Sequence, residues 1–407
     1  MPTPDFVRQT LNDLQARDLY RRLVAVGSAA GPRIDVGGRT VLQFASNNYL
    51  GLAADPRVRE AAVRAIERWG WGAGASRLLA GHTDAHAALE ADLAAFKGTE
   101  AALVFPSGYM ANLGAMTALV GRGDLVACDR ENHASIYDAI RLSEAELARY
   151  PHGDVGAAAE FFNPQSAVRN PQLLLVTDTV FSMGGDLAPL GELAEVCRTS
   201  GAMLVIDEAH ALGVLGPTGA GLAETLACGS RLNAPSANPQ SAIRNPQWPL
   251  AVTASVGTLS KALGGVGGFV AASRDVIELL VNRARPFIYT TALPAAACEA
   301  ARAALAILRA EPERRQGLLA LADRLRRMLR ERDFNCGRSA TPIIPVIVGE
   351  PARALAMAAA LLDRGIFCPA IRPPTVPPGT SRLRISLTAE HTEGDLDQLV
   401  QALVAAR

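Results

Sequence analysis

"MLVIDEAHALG" (203–213) joins an uninterrupted apolar run to an acidic residue, Asp207, at the end of that run. A strand that is apolar on both faces is typical of a parallel sheet with helices covering both of its sides. Similar runs recur through the first two thirds of the chain, with alanine-rich helical segments between several of them, at 101–105, 125–129, 173–177, 250–256 and 268–272. We therefore predict an α/β fold whose large domain holds a mostly parallel sheet covered by helices.

The two ends of the chain differ in pattern from its middle. Residues 3–26 place apolar side chains at helical spacing among charged ones, which predicts an amphipathic helix. Beyond about residue 292 we predict helices at 294–332, 352–364 and 394–406 and strands at 343–348, 366–371 and 383–387. The expected organisation is an N-terminal helical segment (1–45), a large domain (46–290) and a smaller α+β C-terminal domain (291–407).

Charge and composition narrow the class of protein. The 407 residues include 40 basic and 40 acidic side chains, so electrostatic attraction predicts neither a nucleic acid nor a membrane as partner. No apolar run is as long as a membrane-spanning helix, and the N-terminus lacks a signal-peptide pattern, so we expect a cytoplasmic protein. The six cysteines are scattered without CxxC spacing, which predicts reduced thiols and no zinc or disulfide framework.

Lysine is rare in this chain, because only Lys97 and Lys261 occur among the 40 basic residues. An average lysine lies on the surface and does no chemistry. Lys261, however, lies in the stretch "VGTLSKALGG" (256–265), where glycines permit close approach of a ligand and hydroxyls flank the amine. Arginine can bind phosphate but cannot form a Schiff base, so a lysine retained here indicates amine chemistry.

Asp207 and His210 follow the apolar run at 203–206. Ligands of open α/β sheets bind beyond the carboxyl ends of the strands, so Asp207 could meet a buried cation, although a capped turn is the plainer alternative. The letters "DEAH" (207–210) also occur in nucleic-acid-dependent ATPases. That class requires a GxxxxGK[ST] phosphate loop, and neither lysine of this chain lies in one.

Other strand ends add polar groups to the same edge of the predicted sheet. "FPSGYMANLGAM" (105–116) is a strand end, a Ser-Gly turn and a helix start, which favours phosphate binding. His133 follows another strand end, while His82 and His86 are four residues apart and are interpreted as packing or capping rather than metal binding. A phosphate cradle, a carboxylate, imidazoles and an amine together fit pyridoxal 5'-phosphate (PLP).

An ordered series of blocks along nearly the whole chain resembles the α-oxoamine synthases, a branch of the fold-type I PLP enzymes. The blocks are "FASNNYLGL" (44–52), "HTDAHAALE" (82–90), "SGYMAN" (107–112), "NHASI" (132–136), "VFSMGGDLAPL" (180–190), "DEAHALGVLG" (207–216), "TLSKALGG" (258–265) and "IYTTALP" (288–294). The resemblance implies a PLP-dependent acyltransferase with the fold-type I architecture, working as a homodimer with shared active sites.

The tail "AIRPPTVPPGTSRLRISLTAEH" (370–391) resembles the branch of this family that condenses L-alanine with a pimeloyl thioester in biotin biosynthesis. Whether the thioester is carried by CoA or by a carrier protein stays open. The alternatives are a sister synthase that uses glycine or serine with another acyl-CoA, a generic aminotransferase, and a non-catalytic cofactor-binding protein.

The resemblance also implies roles for individual residues. Lys261 would bind the cofactor covalently and remove the α-proton of alanine, Asp207 would keep the ring nitrogen protonated, and His133 would stack on the ring and meet the substrate. The other implied cofactor contacts are Ser182 and His210 near the ring oxygen, Ser107, Gly108, Tyr109 and Thr258 at the phosphate, and Thr290 or Thr291 at the phosphate of the neighbouring subunit's site. The implied substrate contacts, besides His133, are Arg372 with Asn47 at the alanine carboxylate, and Arg21 with Thr375 at the acyl group.

Two features depart from the family pattern. Ala75 stands in the block "WGWGAGASRLLAG" (69–81) where many members have glycine. In addition, "NPQSAVRNPQ" (163–172) is repeated as "NPQSAIRNPQ" (238–247), and the segment around 226–250 is longer than is usual in the family. Both copies are polar and contain proline and asparagine, so we predict surface loops and assign them no function.

Overall fold

A computed structural model describes residues 4–162, 172–228 and 252–407, with the side chains of 227 and 228 excepted. The duplicated loop lies outside the described residues, apart from Gln172, and so does most of the long segment around 226–250. The chain separates into two compact units. We call Met1–Asn47, Met183–Asp186 and Gly317–Arg407 the terminal unit, and Asn48–Ser182 and Leu187–Gln316 the central unit.

The described secondary structure alternates strands and helices through most of the chain. The strands are β1 (Arg33–Val36), β2 (Arg39–Gln43), β3 (Ala101–Phe105), β4 (Leu125–Asp129), β5 (Glu146–Tyr150), β6 (Leu173–Asp178), β7 (Met203–Asp207), β8 (Ala254–Thr258), β9 (Gly268–Ala272), β10 (Ile343–Gly349), β11 (Ile366–Phe367), β12 (Ala370–Ile371) and β13 (Ser381–Ser386). The helices are α1 (Asp5–Ala16), α2 (Pro56–Trp69), α3 (Asp84–Lys97), α4 (Gly108–Leu119), α5 (Ala134–Ser143), α6 (Val155–Glu160), α7 (Leu190–Ser200), α8 (Ala223–Cys228), α9 (Arg274–Arg283), α10 (Arg285–Ile288), α11 (Ala295–Ala310), α12 (Pro312–Arg330), α13 (Pro351–Asp363) and α14 (Glu393–Ala405).

A seven-stranded sheet forms the middle of the central unit, in the order β3-β9-β8-β7-β6-β4-β5. Only β9 runs antiparallel to its neighbours, while the other pairs are parallel. Side chains of the sheet and of α4, α5 and α9 share one hydrophobic core that includes Phe105, Met116, Ile136, Val205 and Leu280. The predicted mostly parallel sheet with covering helices is confirmed, and it brings the carboxyl ends of β4, β6, β7 and β8 to one edge.

The terminal unit contains two small sheets, β1-β2-β11 and β10-β13-β12. His391, which follows β13, contacts the end of β2. Its ring stacks on Phe44 at a centroid distance of 4.5 Å, and its Nε2 lies 2.9 Å from the carbonyl of Gln43. The predicted strands and helices after residue 340 are all present, although the run 366–371 forms two short strands. The domain boundaries expected near residues 45 and 290 stay predictions.

Three local differences from the sequence prediction have physical reasons. The N-terminal helix ends at Ala16 instead of continuing to residue 26, and Asp18 has a positive φ of 55°, which a helix cannot contain. The long helix predicted at 294–332 is two helices, because the break falls at Glu311, directly before Pro312. The strands β1, β2 and β5 were not predicted, since each mixes polar residues with apolar ones.

Lys97 and Glu208 form a buried ion pair, with side chains 2% and 1% exposed. Lys97 Nζ also donates to the carbonyl of Ala220. The Glu208 carboxylate accepts further hydrogen bonds from Ser255 Oγ at 3.2 Å and from the backbone N–H of Ala223 at 2.9 Å. These contacts connect the end of α3 with β8 and with the segment that leads into α8. Because the pair is dehydrated, removal of one partner leaves an uncompensated buried charge.

We expect the Lys97→Met variant to lose about 3–5 kcal/mol of unfolding free energy, because Glu208 then remains as an isolated buried charge. The double variant Lys97→Met/Glu208→Gln should recover most of that loss. As a control, Arg122→Met breaks the exposed pair with Glu144, whose side chains are 84% and 59% exposed, and should cost at most about 1 kcal/mol. Urea unfolding followed by circular dichroism measures each value. Equal losses in Lys97→Met and Arg122→Met would contradict the prediction.

Candidate active site

A cavity of about 210 Å³ lies at the carboxyl ends of the parallel strands in the central unit. Nine of the residues that the sequence singled out for a cofactor line it, and they come from segments as much as 154 positions apart (261 − 107). These residues are Ser107, Gly108, Tyr109, His133, Ser182, Asp207, His210, Thr258 and Lys261. The amine, the carboxylate, the imidazoles and the helix start expected from the sequence therefore face one cavity.

Lys261 lies in a tight turn that directly follows β8. The backbone N–H of Gly264 donates to the carbonyl of Lys261 at 2.9 Å, and Gly264 adopts a positive φ of 65°, which favours glycine at this position. Thr258 ends β8 and its Oγ1 lies 2.8 Å from Ser260 Oγ. The turn places an amine and two hydroxyl groups beside each other at the end of a buried strand.

The start of α4 forms the other wall for a phosphate group. Ser107 is the N-cap of this helix, and its Oγ accepts from the backbone N–H of Met110 at 3.1 Å. The chain of β9 passes directly behind it, because a Cβ built at Gly268 would lie only 2.5 Å from Gly108 Cα. Glycine at position 268 therefore allows the helix start to sit against the sheet, where its N–H groups favour an anion.

Asp207 is buried, with 7% of its surface exposed, and each of its carboxylate oxygens has a donor. The backbone N–H of Ala209 donates to Oδ1 at 2.8 Å, and Asn112 Nδ2 donates to Oδ2 at 2.7 Å. Asn112 belongs to α4, so this hydrogen bond fixes the carboxylate against the same helix whose start faces the cavity. Asn112 was not among the predicted site residues, although it lies in the block "SGYMAN".

His133 is the N-cap of α5, and its Nδ1 accepts from the backbone N–H of Ser135 at 3.2 Å. Part of the ring surface is open to solvent. The protein packed around the ring nevertheless lowers the pKa of His133 below the usual histidine value, with the charge of Lys261 adding to this effect and that of Asp207 opposing it. A neutral imidazole therefore faces the cavity at neutral pH.

His210 and Tyr109 are held by partners on other elements. His210 Nδ1 lies 2.6 Å from the hydroxyl of Tyr49, which is almost completely buried. The hydroxyl of Tyr109 donates to Asp138 Oδ2 at 2.6 Å, and this hydrogen bond raises the pKa of Tyr109. Both rings thus have fixed orientations at the rim of the cavity.

Asp178 lines the same cavity but was not predicted from the sequence. It ends β6 directly beside Asp207 at the end of β7, and its Oδ2 accepts from the backbone N–H of His133 at 3.0 Å. Burial and the charge of Asp207 raise the pKa of Asp178 well above the usual carboxyl value. The apolar run at 173–177 carried the signal, because an acidic residue follows it just as Asp207 ends its own run.

Four of the five predicted substrate residues, all except His133, lie in the terminal unit, where Arg21, Arg372 and Thr375 come together. Arg21 Nη2 donates to Thr375 Oγ1 at 3.3 Å. Arg372, three residues earlier, donates through Nη2 to the carbonyl of Tyr20 at 3.3 Å. In the same unit, Asn47 Oδ1 accepts from Nη1 of the buried Arg384 at 3.1 Å, a residue that had not been singled out. The contact between Arg21 and Thr375 fits their shared expected role, whereas the expected pairing of Arg372 with Asn47 stays a prediction.

Thr290 and Thr291 follow α10 and do not belong to the described lining of the cavity. Thr291 instead forms an isolated antiparallel bridge with Ser76, which is itself part of the glycine-rich block at 69–81. Their expected role toward a neighbouring subunit stays a prediction.

The buried His86 serves helix capping, whereas His82 is exposed and contacts Arg77. His86 Nδ1 accepts from the backbone N–H of Thr83 at 3.3 Å in the capping box that begins α3. His82 Nδ1 accepts from Arg77 Nε at 3.1 Å. Within the described part of the chain, no cluster of three histidine, cysteine or acidic residues could hold a metal ion. Over the same residues, every helix is too short or too polar to cross a membrane.

The sequence matches the family model "Aminotransferase class I and II" over residues 39–403. It is 52% identical to the 8-amino-7-oxononanoate synthase of Anaeromyxobacter dehalogenans strain 2CP-1 over 98% of this chain and 95% of that protein. The fold is similar to the serine palmitoyltransferase of S. paucimobilis solved with PLP–myriocin bound, with a TM-score of 0.87, 31% identity and coverage of 99% and 96% of the two chains. It is also similar to the 8-amino-7-oxononanoate synthase of Francisella tularensis, with a TM-score of 0.72, 27% identity and coverage of 90% and 97%.

The chain therefore belongs to the class I and II aminotransferase family and has the fold-type I architecture. Within that family, it belongs with the 8-amino-7-oxononanoate synthases. The predicted fold class and the resemblance to the α-oxoamine synthases are confirmed.

The packing of β9 against α4 is tested by Gly268→Ala. A methyl group at this position meets backbone atoms 2.5 Å away, which cannot move aside as a side chain can, so we expect a loss of at least about 2 kcal/mol. Gly121→Ala is the matched control, because its nearest contact would be the carbonyl of Ser143 at an ordinary 3.9 Å. Urea unfolding compares the two variants. A Gly268→Ala protein as stable as Gly121→Ala would show that the two backbones do not meet.

His86 generates a prediction about pH. Burial, followed by the charges of Arg77 and His82, lowers the pKa of His86 to about 4. The unfolded chain binds this proton near pH ~6.5, so it holds more protons than the folded chain between these values, and stability falls as the pH drops. The loss should reach about 3 kcal/mol at pH ~4. In urea unfolding, His86→Gln should remove this slope and His82→Gln should retain it. Identical slopes in the wild type and His86→Gln would refute the assignment.

Proposed function

We propose that the protein binds PLP and joins L-alanine to a pimeloyl thioester, giving 8-amino-7-oxononanoate, carbon dioxide and the free thiol. The observation that carries this proposal is the convergence of Lys261 and Asp207 on one cavity, in a chain that aligns over 98% of its length with an 8-amino-7-oxononanoate synthase. The serine palmitoyltransferase with the similar fold binds PLP, which supports the same cofactor here.

The residues around the cavity fit each part of PLP. The start of α4 with Ser107, Gly108 and Tyr109, together with Thr258, offers N–H and hydroxyl donors to the phosphate. Asp207, held by Asn112 and Ala209, is a fixed carboxylate for a ring cation. The remaining contacts proposed for the ring are His133 on its face and His210 with Ser182 near its oxygen.

Bound in this cavity, PLP would supply an electron sink that stabilises negative charge at the α-carbon of the amino acid. Lys261 would bind the cofactor through Nζ and later act as the base that removes the α-proton of alanine. A lysine fits both roles, because its amine can lose its proton and an arginine guanidinium cannot. The neutral His133 at the same cavity can pack against a planar ring without adding charge there.

The reaction balances when one proton is taken up from water. A bond forms between the α-carbon of alanine and the acyl carbonyl carbon, and the carbon–sulfur bond of the thioester breaks and releases a thiolate, which takes a proton from water to become the free thiol. The carboxylate of alanine then leaves as carbon dioxide, and a proton returns to the α-carbon. Lys261 Nζ is the proposed group that carries this proton away and returns it.

The substrate contacts are proposals as well. Arg372 with Asn47 is proposed to bind the alanine carboxylate, since a guanidinium can hold a carboxylate through two parallel hydrogen bonds. Arg21 and Thr375 are proposed to bind the acyl group, and their hydrogen bond to each other supports a shared role. We further propose a cytoplasmic homodimer in which Thr290 or Thr291 of one subunit serves the site of the other.

The sister synthases that use glycine or serine with another acyl-CoA are not favoured. Several relatives with 44–52% identity over nearly the whole chain are 8-amino-7-oxononanoate synthases. The serine palmitoyltransferase structure has a higher TM-score than the Francisella tularensis synthase structure, but it is only 31% identical in sequence to this chain. Overall shape is shared by the branches of this family, so the higher sequence identity decides between them.

The direct test is thiol release with PLP-loaded protein and alanine, using pimeloyl-CoA beside acetyl-, succinyl- and palmitoyl-CoA. We expect release only, or at least 100-fold faster, with pimeloyl-CoA (~2.7 kcal/mol of discrimination), and alanine should exceed glycine and serine. The Lys261→Arg variant keeps the charge but should show no turnover and no covalent cofactor after borohydride reduction and mass spectrometry. Turnover in Lys261→Arg, or a preference for another acyl-CoA, would overturn the proposal.

A further inference from the structure

Three side-chain hydrogen bonds connect Asp207 with His133 through two buried residues that the reaction itself does not use. Asn112 Nδ2 donates to Asp207 Oδ2 at 2.7 Å and also to Ser135 Oγ at 2.9 Å. Ser135 Oγ in turn lies 2.7 Å from His133 Nδ1. Asn112 is 2% exposed and Ser135 is completely buried, so the two middle members of this chain of hydrogen bonds are shielded from bulk water.

The direction of each hydrogen bond follows from its neighbour. An ionised Asp207 carboxylate only accepts, so the side chain of Asn112 must present its NH₂ group to it. The second hydrogen of that group then points to Ser135 Oγ, which accepts it and has one hydrogen left to donate. The remaining partner of that hydroxyl is His133 Nδ1, which also accepts the backbone N–H of Ser135 at 3.2 Å. Nδ1 therefore carries no hydrogen, and the neutral ring carries it on Nε2.

We propose that Asn112 and Ser135 are positioning residues that link the ionised carboxylate of Asp207 to one tautomer of His133. The inference rests on the proposed function, in which Asp207 faces the ring nitrogen of PLP and His133 faces the plane of the same ring. The link fixes the orientation of the carboxylate and keeps the hydrogen of the neutral imidazole on Nε2. One asparagine thus sets the state of two cofactor contacts that belong to different elements.

Other charged groups also face His133 and must be held constant in a test. Asp207 and Asp178 end the adjacent strands β7 and β6, Lys261 follows β8, and Asp138 lies on α5 itself. None of these four residues is changed in the variants below. A difference in the tautomer or pKa of His133 between variants therefore arises from the hydroxyl group of Ser135 or the amide group of Asn112.

The test measures the tautomer and the pKa of His133 by ¹⁵N NMR of histidine-labelled full-length protein, as purified with PLP and again after removal of the cofactor. The signal is assigned with His133→Gln. Wild-type protein should show neutral His133 with its hydrogen on Nε2. Loss of the hydroxyl donor in Ser135→Ala should raise the pKa of His133 by about one unit and should populate the other tautomer. Asn112→Leu should change the tautomer in the same direction.

Two further variants separate positioning from a general loss of structure. Ser135→Thr keeps the hydroxyl and should restore the wild-type tautomer. Ser143→Ala removes another buried hydroxyl of the same helix, whose Oγ donates to the carbonyl of Ile140, and should leave His133 unchanged. In PLP-loaded protein, Ser135→Ala should lower kcat about tenfold, equivalent to ~1.4 kcal/mol, and leave the KM for alanine near the wild-type value.

A hydrogen on Nδ1 in wild-type protein, or a wild-type tautomer and pKa in both Ser135→Ala and Asn112→Leu, would overturn the inference. The measurement without cofactor needs neither PLP binding nor turnover. The expected tautomers in a protein that releases no thiol would therefore support the hydrogen-bonded link while contradicting the proposed function. Turnover with unchanged tautomers in both variants would support the proposed function and contradict the hydrogen-bonded link.

Discussion

Asp207 and Glu208 are consecutive acidic residues in a buried region, and the central unit depends on satisfying both of them. Asp207 receives hydrogen bonds from Asn112 and from the backbone of Ala209, whereas Glu208 pairs with Lys97. The backbone N–H of Glu208 donates to the carbonyl of Val256 at 2.8 Å, so the chain just after β7 is also hydrogen-bonded to β8. Two adjacent carboxylates can be buried without mutual repulsion only because each has its own set of donors. The position of β8, and of the turn after it that carries Lys261, follows from this arrangement.

The central strands could be predicted because parallel strands buried on both faces are apolar without interruption. The same rule misses β5, which lies at the sheet edge and mixes polar with apolar residues. Periodicity alone could not end the first helix, since apolar spacing continues past Asp18, where the backbone leaves the helical region. Sequence patterns thus predict buried regular elements well, and they predict edges and helix ends poorly because local backbone geometry decides those.

Within the site, residues that end strands or begin helices were predictable for two reasons. Ligands of open α/β sheets bind beyond the carboxyl ends of the strands, and these residues lie in the family blocks. Asn112 and Ser135 were not, although both lie in family blocks, because the hydrogen bond between them joins two separate helices and depends on how these helices pack. Asp178 could have been found by applying to β6 the argument used for Asp207. The rarity of lysine indicated function at Lys261 but was not sufficient by itself, because the equally rare Lys97 serves a buried ion pair.

The use of lysine at only two positions also determines how the protein can be handled chemically. Lys97 Nζ is enclosed by Glu208 and Ala220, so amine-directed dyes, cross-linkers and surface-coupling reagents can reach one lysine, Lys261, besides the chain terminus. Such reagents would therefore modify the lining of the candidate active-site cavity. Thiol chemistry offers no substitute in the folded protein at the five cysteines whose side chains are described, since all are buried and burial raises the pKa of the Cys128 thiol to about 12. Immobilising or labelling this protein in active form requires a cysteine introduced at an exposed position.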